Sequence, residues 1–201
     1  TVDVTLPGNM TLVPFGIEQA QLLRENEDGT KTWRVEGTGR NMILYAGDYV
    51  REDIEAAGVT VSFYYARKHQ PVMQAAGAAQ AVRQVIEYCT QHYGPLSFAA
   101  AGSLKLIQSR AATGGYASIG ASLANELDFT AHNLANAEKG TVPGEVMIHE
   151  LVHQWWGLGN MFYSETGNEL WSAEGLTVYT TYRIIKELYG EEYAREHYVQ
   201  Q

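Results

Sequence analysis

The chain has 201 residues, 45% of them apolar, with a formal net charge of −9 and one cysteine. That length and apolar content suffice for one large domain or two small ones with an ordinary core, and the acidic balance argues against a nucleic-acid backbone as partner. The single Cys89 rules out an intrachain disulfide, and no apolar run reaches membrane-spanning length.

In chain order, residues 1–66 read as β-structure. Short alternating runs such as Thr32-Trp33-Arg34-Val35 and Met42-Ile43-Leu44-Tyr45 are separated by turn signals such as Glu27-Asp28-Gly29. Residues 59–65 make a last strand before an expected boundary near Ala66-Arg67-Lys68-His69. A long helix is expected over residues 70–92, with Cys89 as a core position, followed by a strand at 103–109 and an edge strand at 115–123. Three helices are expected after Thr141. His69, His92, His132 and His197 are expected at the surface, and Asn125 and Glu126 are placed near the cleft without a role.

His149-Glu150-Leu151-Val152-His153 carries the chemistry. Side chains four apart on a helix are about 40° apart around the axis and about 6 Å along it, so two imidazoles can grip one metal ion from a single turn. Glu150 sits about 100° round, at the edge of the same cleft, where a carboxylate can take a proton from water. Thr141-Val142-Pro143-Gly144 supplies a hydroxyl and a proline where this helix would start. Val146, His149, Val152, His153 and Trp156 share one face, which reads as buried. The alternative is a pair of hydrogen-bonded core histidines.

Zinc hydrolases commonly use three protein ligands and leave the fourth position open. A second helix is expected to start at Thr166-Gly167-Asn168-Glu169, a capping-box spacing, and to stop at Gly190. On it Glu174 shares an apolar face with Leu170, Trp171, Val178 and Ile185, where an unpaired carboxylate would be costly to bury. Coordination to a dication removes that cost; a glutamate bonded to a histidine or a backbone group is the alternative. Glu169 reads as a cap or as an acceptor supporting a ligand.

His149-Glu150-Leu151-Val152-His153-Gln154-Trp155-Trp156-Gly157, followed by Glu169-Leu170-Trp171-Ser172-Ala173-Glu174-Gly175, closely resembles the gluzincin peptidases of the M1 aminopeptidase family. The resemblance implies one zinc ion held by His149, His153 and Glu174, with Glu150 as general base. It also implies an α+β fold, with a thermolysin-like zincin catalytic domain at residues 67–201, truncated at its C-terminus. Residues 1–66 would then be the end of a preceding β-rich domain.

Two departures stand out. Twenty residues, Gln154 to Ala173, separate the second histidine from the glutamate, two more than is usual in the family, and the extra pair is placed in the intervening loop. Upstream, the family carries a G-x-M-E-N strand whose glutamate holds the free amino terminus of the substrate. The matching segment here is Gly114-Gly115-Tyr116-Ala117-Ser118-Ile119-Gly120, so Ala117 takes the place of the glutamate and Ser118 that of the asparagine. Gly115, Tyr116, Ala117 and Ser118 are the implied substrate-binding residues, able to pair with an extended peptide. An alanine cannot bind an ammonium.

The expected activity is hydrolysis of a peptide or protein substrate. The rival is a catalytically weak zinc-binding peptide sensor within a larger, membrane-associated protein. The chain reads as a fragment: it opens on an alternating strand pattern and ends inside an expected helix, with the family's oxyanion-stabilising tyrosine expected beyond Gln201. Any membrane anchor or extracytoplasmic targeting would therefore lie outside this stretch.

Overall fold

The computed structural model describes residues 1–38, 42–97, 103–110, 114–128, 144–160 and 170–199. Strands β1 (Val2–Pro7), β3 (Ala20–Glu25) and β4 (Thr30–Val35) form an antiparallel sheet in the order β1-β4-β3. The β3–β4 turn is fixed locally, since the Asp28 carboxylate accepts both the amide (3.0 Å) and the hydroxyl (2.7 Å) of Thr30. Strands β2 (Thr11–Pro14) and β5 (Leu44–Gly47) pair as a separate ribbon.

A five-stranded sheet in the order β6-β7-β8-β10-β9 follows. Its members are β6 (Tyr49–Ala56), β7 (Val59–Ala66), β8 (Ser103–Ser109), β9 (Tyr116–Ser118) and β10 (Ala121–Asn125). The β6–β7 hairpin closes on Ala57-Gly58, both at positive φ (+48° and +80°), as a two-residue turn of the I′ kind requires. Strand β7 is nearly continuous apolar sequence, buried along most of its length, and it runs parallel to β8. That is the pattern of a strand covered on both faces. The hydrogen-bonded sheet therefore runs across the expected 66/67 boundary.

Two expected elements differ in the structure. The helix expected over residues 70–92 is two, α1 (Gln70–Ala75) and α2 (Ala78–Tyr93), because Gly77 takes a left-handed conformation (φ +69°) between them. The edge strand expected over 115–123 is a hairpin. Only β9 lies at the edge, while β10 pairs in parallel with β8 inside the sheet.

Among the described residues the remaining α-helices are α3 (Glu145–Val152), α4 (Leu176–Tyr189) and α5 (Glu191–Ala194). Ala81, Val82, Val85, Ile86 and Cys89 of α2 join Phe63, Leu104 and Leu106 of the sheet and Ile148, Leu151 and Ile184 of α3 and α4 in one core. Gly190 (φ +94°) ends α4 where expected. Lys105 of β8 is buried and donates to the carbonyls of Pro14 (2.9 Å) and Glu18, pinning that N-terminal segment to the sheet. Its burial pulls the ammonium down to about 8. Among the described residues no helix is long and apolar enough to cross a membrane.

Candidate metal centre

Helix α3 follows Gly144, which is left-handed at φ +77°. The start expected at Thr141 to Pro143 lies outside the described residues. What holds the described first turn is Asp128, whose buried carboxylate accepts the Met147 amide at 2.8 Å. Burial, aided by the nearby Glu145 charge, pushes that carboxyl up to about 7. Past Val152 the helix tightens, with Gln154 N–H bonded to Leu151 (3.0 Å) and Trp155 N–H to Val152 (2.9 Å).

The expected apolar face of this helix needs correction. Met147, Ile148, Leu151, Val152 and Trp155 are fully buried, whereas Val146, His149 and Trp156 are only half-buried. The helix is packed by α2, α4 and β10, so most of its circumference is interior and the histidine row faces a cleft.

Glu174 lies in a π-helical turn, Trp171–Gly175, that leads into α4. Such turns widen a helix locally and recur at functional sites. The face expected for it is core only at its far end: Ile185 is fully buried, but Leu170 (73%), Trp171 (57%) and Val178 (45%), which flank Glu174, are exposed. The Glu174 side chain is itself 53% exposed. Burial cost therefore does not explain this carboxylate; its position does. Oε2 of Glu174 lies 3.3 Å from Nε2 of His149 and 3.4 Å from Nε2 of His153. The two rings are 4.7 Å apart and nearly perpendicular.

These separations test whether zinc fits. Charge-assisted N–H···O bonds run about 2.7–2.9 Å, so 3.3 and 3.4 Å are long for imidazolium–carboxylate pairs. Four donors at about 2.0–2.1 Å from a tetrahedral ion lie about 3.3–3.4 Å from one another. The residues present fit that spacing. The ring orientation fits as well: His153 Nδ1 is 3.1 Å from the Trp156 carbonyl, an acceptor only, so Nδ1 is the donor there and Nε2 is the atom that faces Glu174. Thr177 Oγ1 lies 3.2 Å from the same Nδ1. Burial, then the His153 charge, lowers the pKa of His149 and favours the neutral ligand form.

Ligand atoms of His149, Glu150 and His153 also lie within 4.8 Å of one another. Both carboxylates are thus candidates for a third donor: Glu150 within that group, and Glu174 with one oxygen nearly equidistant from the two imidazoles. Glu150 is 7% exposed, and burial followed by the charges of Glu174 and Glu145 pushes its carboxyl up to about 8. A bound dication opposes that shift. Gly115 makes room for this side chain, since a Cβ there would overlap Cγ, Cδ and Oε1 of Glu150.

A cavity of about 410 Å³ brings together His149, Glu150, His153 and Glu174 with Gly115, Tyr116 and Ala117 of the expected substrate segment. Ser118 is not in its lining; it ends β9 with its carbonyl bonded to Gln154 (3.0 Å). Glu169 and His132 lie outside the described residues. His69 is bonded to Gln108 (3.0 Å), and His92 and His197 pack on Tyr88 and Tyr193. A second cavity, about 540 Å³, shares no lining residue with the first. Its ionic groups pair with one another, Arg67 with Asp48 and both Lys68 and Arg110 with Glu126.

Sequence reasoning missed Asp128, which reaches the helix from well upstream with no motif to mark it. It passed over Gln154 and Ser122, whose contacts appear only in three dimensions.

A sequence model of the peptidase family M1 domain matches residues 77–201. Leukotriene A-4 hydrolase of Xenopus laevis is 46% identical over 48 residues, and leucine aminopeptidase 2 of Emericella nidulans is 43% identical over 49. Each match covers 24% of this chain and 8% of the relative. An M1 zinc metallopeptidase of Deinococcus radiodurans superposes with a TM-score of 0.56 at 16% identity, over 95% of this chain and 41% of that one. The chain thus spans well under half of that relative.

Proposed function

The chain belongs to peptidase family M1, and on that premise we propose that the protein it comes from is a zinc-dependent metallopeptidase, with His149, His153 and Glu174 as ligands and Glu150 as general base. One observation carries the reading: a single Glu174 oxygen lies almost equally far from two imidazole nitrogens, at separations matching the edges of a tetrahedral zinc site. Zinc held by these three residues would supply a Lewis acid and would bring the pKa of a water in the site toward about 7.

The chain's own residues do the rest. Glu150, held against Gly115 at the cavity wall, accepts the proton of the attacking water and passes it to the departing amine. Among the described residues strand β9 is one edge of the sheet, paired only with β10, so its other side can take an extended peptide as an added strand. That lays the peptide backbone beside Glu150. The partner is a peptide or protein.

Specificity follows from the acids available. Among the described residues lining the cavity, the carboxylates are Glu150 and Glu174, and the proposed mechanism engages both. Ala117, at the position where family members hold the substrate amine, offers no charge. The substrates are therefore peptides whose amino terminus needs no anchoring, cut as endopeptides or with the terminus blocked. Ala117 also favours the second reading, a zinc-binding peptide sensor; Glu150 weighs against it, because a site that only binds needs no base.

Metal analysis of the full-length protein, with hydrolysis of a free and an N-acetylated peptide of the same sequence, separates these readings. Zinc with cleavage of the acetylated peptide is expected. Cleavage of the free peptide alone would restore an aminopeptidase, and zinc without cleavage of either would favour the sensor.

A further inference from the structure

One fully buried amide, Gln154, lies between the metal-binding turn and the strand that borders the cavity. Its Nε2 donates to the carbonyls of Ser118 (3.0 Å) and Ala121 (3.2 Å) and lies 3.1 Å from Ser122 Oγ. Its Oε1 accepts the Gly120 amide at 3.2 Å. Ser122 in turn donates its hydroxyl to the Glu150 carbonyl at 2.7 Å. With the Gln154 N–H turned to Leu151, that hydroxyl takes up the carbonyl of the base itself.

The chemistry of the side chain suits this place. The turn between β9 and β10 presents two inward carbonyls and one inward N–H, and a planar amide carries two donors and an acceptor on one group. A glutamate would lack the donors, and a methionine would lack both. At the other end of β9, Gly115 packs directly on the Glu150 side chain. A strand of three residues is thereby fastened at both ends to the same stretch of chain, 150–154, that carries the base and the second histidine.

We propose that Gln154 is a positioning residue that fixes the register of strand β9, and of a peptide paired with it, relative to Glu150. This rests on the reading that β9 receives a peptide substrate. A peptide pairs firmly only with a strand that is itself held in place, so a fastened strand raises peptide affinity beyond its contribution to stability. A purely structural amide would lower the unfolding temperature and leave binding untouched below it.

The test uses the full-length protein with zinc, as wild type, Gln154→Met and Ser122→Ala, assayed well below the unfolding temperature. Three quantities are read: zinc content, hydrogen exchange across residues 115–122, and KM and kcat for an N-acetylated peptide. In Gln154→Met, zinc content stays at the wild-type level, exchange across 115–122 rises at least tenfold, and KM rises about tenfold with a smaller change in kcat. Unchanged exchange or unchanged KM, with zinc retained, overturns the proposal. If Gln154→Met does not fold, Ser122→Ala decides, because it removes one arm of the network and should move both readouts the same way by a smaller factor. No movement there overturns it equally. A wild type that cleaves neither peptide sinks the peptidase reading alone; the affinity of the acetylated peptide, read by fluorescence anisotropy, then takes the place of KM.

Discussion

Gly115→Ala is the most direct probe of how the base is seated. The added methyl would fall 2.5 Å from Cδ of Glu150 and closer still to Cγ and Oε1. Ordinary carbon–carbon contact begins near 3.4 Å, so the carboxyl carbon or strand β9 must withdraw by about 1 Å. A displacement of about 1 Å costs roughly 100-fold in turnover, and overpacking a filled site costs about 1–3 kcal/mol of stability. For a chain of this size that corresponds to a fall of roughly 2–12 °C in Tm. Zinc content should not change, because the three atoms nearest the added Cβ all belong to Glu150, which the proposal leaves outside the ligand set. The assay is kcat on an N-acetylated peptide beside a melting curve and a metal determination on the same preparation. Wild-type turnover in a folded, zinc-loaded Gly115→Ala protein would refute both the seating of Glu150 and its role.

Glu150→Gln should keep zinc and lose hydrolysis by at least about 100-fold, the lower bound for a general base; retained turnover removes Glu150 from the chemistry. Glu174→Ala should weaken zinc binding by more than the roughly 10–100-fold that groups outside the ligand set usually contribute, measured by competition with a chelating dye. If Glu174→Ala binds normally while Glu150→Gln loses the ion, the third donor is Glu150 instead. Lys105 gives a pH signature. Its folded pKa of about 8 lies below the ordinary lysine value of 10.5, so the unfolded chain binds more protons between those values and stability from this group rises with pH across that window. Urea midpoints at pH 8, 9 and 10 should climb more steeply for the wild type than for Lys105→Met; parallel curves would show that Lys105 is not charged at a cost.

The candidate site was partly legible because the spacing of its two histidines is local. Side chains four apart share a helix face by pitch alone, whereas Glu174 comes from a separate helix, and the structure sets its Oε2 at 3.3 and 3.4 Å from their Nε2 atoms. Reasons drawn from burial fared worse. The pattern of Leu170, Trp171, Val178 and Ile185 puts Glu174 on a buried face, yet of these four Ile185 alone is buried, because hydrophobic periodicity reports a face without saying what covers it. Helix α3 misled in the opposite sense: with α2, α4 and β10 around it, its interior exceeds one stripe. Gly77 broke a helix that periodicity carried straight through, since a single left-handed residue outweighs pattern. The Gln154 network could not be read at all, because three of its four partners are backbone atoms and leave no mark in the sequence.

The pairing of β7 with β8 bears on how this protein can be cut. A truncation beginning at Arg67 would discard β6 and β7, two of the five strands, and leave β8 with a bare hydrogen-bonding flank lined by Leu104 and Leu106. An unprotected apolar flank of that kind invites pairing between molecules. A self-standing catalytic piece should therefore start upstream of Tyr49, and should retain the Pro14 to Glu18 stretch if the ammonium of Lys105 is to keep its acceptors.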